Sequence, residues 1–296
     1  MGSGKTPGLN ALPPTGRTRP SPQPPDLHTP MSNALVLFMK APRPGTVKTR
    51  LTPRVTMDEA AELYRAFILD TLHLAQRTAA ASLFVAWTPD DGRTELGSAL
   101  GCLGDPYVNW LRQRGSHLGE RLSNAFTAFR QDGWEKTVVL GGDSPLLPPA
   151  YVEEAFEALD RHDVVLGPAD DGGYYLIGLG GPGASGGPGG PGSPGDPGDP
   201  DMPDSQRRRK NASDRYDRLF ESIHWGTGRV LRQTRAAIRT CGFSSHELPS
   251  WHDVDRPADL DRLAREIRAL RAGGDHLTGR CTETALAAVS REGRDQ

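Results

Sequence analysis

The stretch Thr137–Pro148, TVVLGGDSPLLP, constrains this chain more than any other. Thr137, Val138, Val139 and Leu140 form an unbroken strand-favouring run, the pattern of a strand buried on both faces of a parallel sheet. Gly141 and Gly142 then let another group approach the backbone closely, and Asp143 follows at once. Pro145, Pro148 and Pro149 restart the chain as a helix, whose first turn tolerates proline. A carboxylate is thereby set just past the carboxyl end of a central strand, the edge where open α/β sheets bind ligands. Position alone leaves a second reading open, in which Asp143 only caps the next helix.

Strands and helices alternate around this element. Ala34–Met39, Ser82–Trp87, Tyr107–Leu111, Asp163–Leu166, Tyr174–Leu179 and Gly242–Leu248 read as further strands. Thr56–Glu59 has the form of a capping box, and Ala60, Leu63, Tyr64, Phe67, Ile68 and Leu72 then keep helical spacing. Leu118–Arg130, Ala150–Leu159 and Thr227–Thr240 read as helices, as does a segment starting at Pro257 and stopped by Gly273 and Gly274. Thr282–Val289 carries a weaker helical pattern. The alternation predicts a three-layer α/β/α fold with a mainly parallel, Rossmann-like sheet.

Of the 296 residues, the 35 glycines and 26 prolines concentrate in two stretches. Residues 1–30 are Pro-rich with almost no large apolar side chain and are expected to be disordered, which makes Met31 a candidate start. Residues 180–214 read as a flexible Gly/Pro-rich insertion, whose basic run Arg207–Lys210 is read as solvated charge. The expected organisation is one catalytic domain over residues 31–270 and a C-terminal tail over residues 271–296. A net charge of -2 argues against a general nucleic-acid binder. Cys102, Cys241 and Cys281 have no metal-ligand spacing, which fits inert thiols in a cytoplasmic protein. No apolar run is long enough for a membrane span.

Four other stretches can carry chemistry. The loop after the first strand, KAPRPGTVKTRL, holds Lys40, Arg43, Lys48 and Arg50 around Gly45, a plausible phosphate cradle without the P-loop spacing. In His252-Asp253-Val254-Asp255, extended alternation puts Asp253 and Asp255 on one side. With Asp143 they form an oxygen-rich set of the kind Mg²⁺ or Mn²⁺ prefers, although Asp255 is also well placed to cap the helix at Pro257. Asp170 and Asp171 stand before two glycines, either as a turn or as acceptor-orienting groups. Arg112–Arg121 brings Gly119, Glu120 and Arg121 to a helix entrance, where they could contact a nucleobase or an acceptor.

FMKAPRPGTVKTRL, GSHLGERL, GGDSPLLP, GPADDGGYYLIGL, HWGT and DVDRPADL occur in that order over most of residues 31–270. Together they resemble a bacterial family of glycosyltransferases with the GT-A, nucleotide-diphospho-sugar transferase fold, some of them assigned to arsenosugar biosynthesis. More distantly, the layout is similar to the molybdenum-cofactor and 2-phospholactate guanylyltransferases. Two features depart from those patterns: the LAGGxxxRMG loop is replaced by the Pro-rich basic loop, and a DxD appears only as Gly141-Gly142-Asp143. The resemblance implies a metal-dependent glycosyltransferase that uses a nucleotide-sugar and a small acceptor. Asp143, Asp253 and Asp255 would hold Mg²⁺ or Mn²⁺. Lys40, Gly45, Lys48, Arg50, Gly119, Glu120, Arg121 and Gly142 would line the nucleotide site, with Asp170 or Asp171 as base. A guanylyltransferase-like enzyme using a nucleoside triphosphate, or a nucleotide-binding scaffold without turnover, is the alternative.

Overall fold

The computed structural model describes residues 31–78, 81–102, 104–180 and 215–292. The expected N-terminal extension and nearly all of the Gly/Pro-rich insertion lie outside them. Seven strands form one sheet: β1 (Met31–Lys40), β2 (Ser82–Thr88), β3 (Val108–Arg112), β4 (Trp134–Gly141), β5 (Val164–Pro168), β6 (Tyr174–Gly180) and β7 (Ser245–Glu247), in the order β3-β2-β1-β4-β6-β5-β7. All neighbours are parallel except that β6 runs antiparallel to β4 and β5. Among the described residues the main helices are α1 (Met57–Arg77), α2 (Arg93–Leu100), α3 (Leu118–Gln131), α4 (Pro149–Ala158), α5 (Val230–Thr240), α6 (Pro257–Ala272) and α7 (Arg280–Glu292).

Alternation along the central strands feeds two cores. Leu35, Leu37, Met39, Val138 and Leu140 pack with α1, α4 and α6 on one face, against Phe67, Val152 and Leu263. Ala34, Val36 and Val139 pack on the other face against Leu122 and Phe126 of α3 and Leu231 of α5. Such two-sided burial explains why β1 and β4 read as continuous apolar runs rather than as alternating ones. The chain has an α/β fold with a mostly parallel sheet between helical layers.

Strand order reverses between β1 and β4, since β1 leads outward to β2 while β4 begins the other half. The crevice beyond the carboxyl ends of these two strands is the switch point at which such sheets take ligands. The loop Ala41–Val55 and Gly142–Asp143 both leave the sheet there. α1 is launched beside it by the expected capping box: the Thr56 side chain accepts from the Glu59 amide, and the Glu59 carboxylate accepts from the Thr56 amide.

Several expectations are corrected. Gly180 is not part of the insertion but ends β6, with its amide on the Asp163 carbonyl and its carbonyl accepting from the Tyr216 hydroxyl. Residues 280–292 form a full helix rather than a short weak one, packed on the core beside α1 through Ala285, Leu286 and Val289. Helix α2 had no sequence signal, because RTELGSAL is short and its Gly97 weakens the period. It is held by Arg43, whose guanidinium meets Asp91 at 3.1 Å and Glu95 at 2.6 Å. Arg43 is thus a strut of the β1 loop rather than a free phosphate-binding cation.

Candidate active site

The β1 loop is pinned by two apolar anchors, Val47 and Leu51, which are 4% and 0% exposed. Between them Lys48 adopts a left-handed conformation at φ 48°, a strained backbone for a residue with a side chain. Its side chain lies inward, where only 4% of it remains exposed. There the ammonium lies 2.6 Å from Asp143 Oδ1 and 2.8 Å from Asp255 Oδ1. Burial alone would lower the Lys48 pKa, but the two carboxylates reverse the effect and hold it well above its ordinary value. The two carboxylates thus favour the charged form of Lys48 at the switch point.

Both cap readings fail. Helix α4 begins at Pro149, well beyond Asp143, and has Pro148 at its N-cap. At α6 the amides of Asp255 and Arg256 are taken by the Asp259 carboxylate, at 2.9 and 2.6 Å, so the Asp255 side chain is left to Lys48. Arg50 adds a looser contact at 3.9 Å. Burial would raise the Asp255 pKa, yet Lys48 and Arg50 bring it below the usual carboxylate range.

The Trp251–Asp255 segment reaches this point as an extension of the sheet. Trp251 bridges Ala169 after β5, and the Val254 amide donates to the Asp143 carbonyl at 3.0 Å. His252 and Val254 face inward, 5% and 1% exposed, while Asp253 and Asp255 face the Asp143 loop. Asp253 Oδ1 accepts from the Ser144 hydroxyl at 2.6 Å. Burial first, and the nearby Asp143 carboxylate second, push its pKa up to about 7. Two carboxylates thus hold one buried ammonium, and a third lies beside Asp143 on Ser144.

That charge surplus has a pH signature. A carboxyl with a raised folded-state pKa stabilises the fold most below its unfolded value near 3.8, and the contribution fades as pH rises towards 7. Asp253→Asn keeps an acceptor for Ser144 and removes this dependence. In metal-free buffer its thermal midpoint is expected to exceed that of the natural protein at pH 8 and to match it near pH 4. Melting curves across that range check it.

The donor chemistry of the three aspartates is that of a hard-cation site, although their oxygens do not converge on one point. Asp143, Asp253 and Asp255 offer only oxygens, and their mutual repulsion is what a divalent ion would relieve. Lys48 currently spans two of them, and no group of three carboxylates among the described residues closes to within 4.8 Å.

The other expected residues are distributed more unevenly. Lys40 is exposed at the end of β1, and its amide donates to the Tyr64 hydroxyl at 3.0 Å. Gly45 turns the loop at φ 74°. A side chain at Gly142 would meet Ile68 and Tyr64, so the backbone after β4 lies directly on α1. Gly119 lies flat against the Trp225 indole, with no room for a side chain. Glu120 accepts from the amide and hydroxyl of Ser116 at 2.7 and 2.8 Å, which lowers its pKa, and Arg121 donates to the Gly115 carbonyl at 3.0 Å. These two side chains shape the entrance turn of α3. Asp171 accepts from the Gly173 amide at 2.8 Å and closes the DDGG turn. Asp170 instead meets Arg262 at 3.1 Å, and Arg262 is joined through Glu266 to His252. Neither Asp170 nor Asp171 bonds to Lys48 or Asp143.

Sequence reasoning missed four supporting residues. Ser144 lies inside GGDSPLLP and Trp225 inside HWGT, so both motifs contained the signal. Gln113, which donates from its buried amide to the Met39 and Ala86 carbonyls at 3.2 and 2.7 Å, fastens the α3 entrance to β1 and β2 without any local signature. Arg262 is one of several arginines on α6 and could not have been singled out.

A protein from Desulfovibrio desulfuricans G20, provisionally assigned as a nucleotide-diphospho-sugar transferase, superposes with a TM-score of 0.67 at 29% identity over 89% of this chain and 98% of that one. The two share a fold. A family described as "Uncharacterized protein conserved in bacteria (DUF2064)" matches residues 71–185, which include Asp143 and the DDGG turn but neither Lys48 nor Asp255. The phosphoenolpyruvate guanylyltransferase of Mycolicibacterium gilvum (strain PYR-GCK) is 33% identical over 130 residues. That match covers 43% of this chain and 58% of the relative, so the chain spans little more than half of the curated protein it resembles. Among the described residues, no helix is long and apolar enough to cross a membrane.

Proposed function

We propose that this protein is a metal-dependent transferase that takes a glycosyl group from a nucleotide-diphosphate sugar. The observation that carries the reading is Lys48, buried between Asp143 and Asp255 at the switch point of the sheet. The near full-length similarity to a protein provisionally assigned to this class supports it.

Asp143 and Asp255, with Asp253, would hold Mg²⁺ or Mn²⁺, which when bound neutralises charge on a diphosphate. Lys48 stabilises the negative charge that builds on the leaving nucleoside diphosphate, as a preorganised cation aimed where charge develops. Arg50 and Lys40, both exposed at the mouth, attract and orient the phosphates. Asp170 is held by Arg262 at the neighbouring sheet edge. It is the group on this side that can accept a proton from an acceptor hydroxyl.

The partial similarity to a guanylyltransferase favours one second reading, nucleotidyl transfer with release of pyrophosphate. A thermal-shift screen with Mg²⁺ or Mn²⁺ separates the two, because a ligand that binds only the folded state raises its stability. Cation-dependent stabilisation by one nucleotide-sugar and not by triphosphates is the expected result. Stabilisation by a triphosphate alone would replace glycosyl with nucleotidyl transfer, and no shift with either class would overturn both.

A further inference from the structure

Cys281 had no metal-ligand spacing in the sequence, but the fold gives it neighbours. It opens α7 beside Asp70 and His73 of α1. The His73 Nδ1 lies 4.0 Å from Cys281 Sγ and 4.0 Å from Asp70 Oδ1. Among the described residues this is the one group of three such side chains whose ligand atoms all fall within 4.8 Å of one another. Tetrahedral zinc with its usual bond lengths would place sulfur and nitrogen ligands about 3.6 Å apart, close to the 4.0 Å between Cys281 Sγ and His73 Nδ1.

We infer that Asp70, His73 and Cys281 form a binding site for a thiophilic divalent cation of the zinc class, separate from the carboxylate site and clamping α7 onto α1.

The surroundings match that chemistry. The Asp70 side chain is 2% exposed, and its oxygens accept the Cys281 and Thr282 amides at 3.0 and 2.8 Å, which orients the carboxylate towards the thiol. Thr282 is fully buried and its hydroxyl has no hydrogen-bond partner, an uncommitted oxygen on the residue after Cys281. His73 and Cys281 are open enough for an ion to enter. One sulfur, one imidazole and one carboxylate favour zinc over Mg²⁺, which the all-oxygen Asp143 site suits better. Burial, and then Asp70, push the Cys281 thiol up to about 11, so binding must displace its proton to solvent.

The test uses the full chain, stripped with a chelator and titrated with Zn²⁺ and with Co²⁺. One equivalent should bind, Co²⁺ should give a thiolate-to-metal charge-transfer band, and Zn²⁺ should raise the melting temperature. The band should vanish in Cys281→Ser, and affinity should fall roughly tenfold or more in His73→Ala, while Asp143→Asn keeps both. His73 is half exposed, so its variant remains informative should Cys281→Ser not fold. Absence of the band in the natural protein, or affinity unchanged in His73→Ala, would overturn the proposal.

Discussion

Replacing Lys48 by Met is expected to destabilise the fold by about 2–3 kcal/mol and to abolish turnover. Removing one partner of a buried ion pair usually costs about 3–5 kcal/mol, because the remaining charge is left uncompensated. Here Asp143 and Asp255 retain 45% and 34% exposure, so water recovers part of that loss. The sign with pH is fixed by Asp255. Its folded-state pKa is depressed, so its contribution is present above the unfolded value near 3.8 and is lost as pH falls through the folded one. The natural protein should therefore lose stability on acidification more steeply than Lys48→Met. Lys48→Gly provides a control, since glycine adopts the left-handed backbone freely and should recover up to about 1 kcal/mol relative to Met. Urea unfolding of the three proteins decides the matter. A change below about 0.5 kcal/mol would mean that the bridge contributes nothing beyond an ordinary surface pair.

Asp143→Asn should have the opposite profile, with a large effect on turnover and a small one on the fold. The carbonyl of residue 143 still receives the Val254 amide, and Gly141 and Gly142 still place the turn on α1. What is lost is one carboxylate of the set that would hold the cation, together with one of the two partners of Lys48, which keeps Asp255. Loss of a single well-placed electrostatic group typically lowers kcat about 10²–10³-fold. Asp253 should titrate lower in this variant, because part of its raised pKa comes from Asp143. Turnover with the donor identified by thermal shift, measured beside the melting temperature, checks both halves. Retained turnover would remove Asp143 from the site.

The legibility of the sequence follows from the range of the interactions. β4 and Asp143 could be read because an apolar run followed by Gly-Gly-Asp encodes its own geometry within eight residues. The capping box of α1 and the glycine stop after α6 are equally local, and each stands where its spacing placed it. Lys48 and Asp255 meet across 207 residues, and Asp70 and Cys281 across 211. No periodicity carries such a pairing. The same limit explains Glu120, Arg121 and Asp171: their side chains bind nearby backbone or hydroxyl groups, a use that composition cannot distinguish from ligand binding.

The most direct measurement of the central claim is a calorimetric titration of the full chain with the selected nucleotide-diphosphate sugar. It would be run with Mg²⁺ and with chelator, in the natural protein and in Asp143→Asn. The account predicts cation-dependent binding that weakens at least tenfold in the variant. Binding of equal strength in chelator, or in Asp143→Asn, would contradict it and place the donor somewhere other than the crevice between β1 and β4.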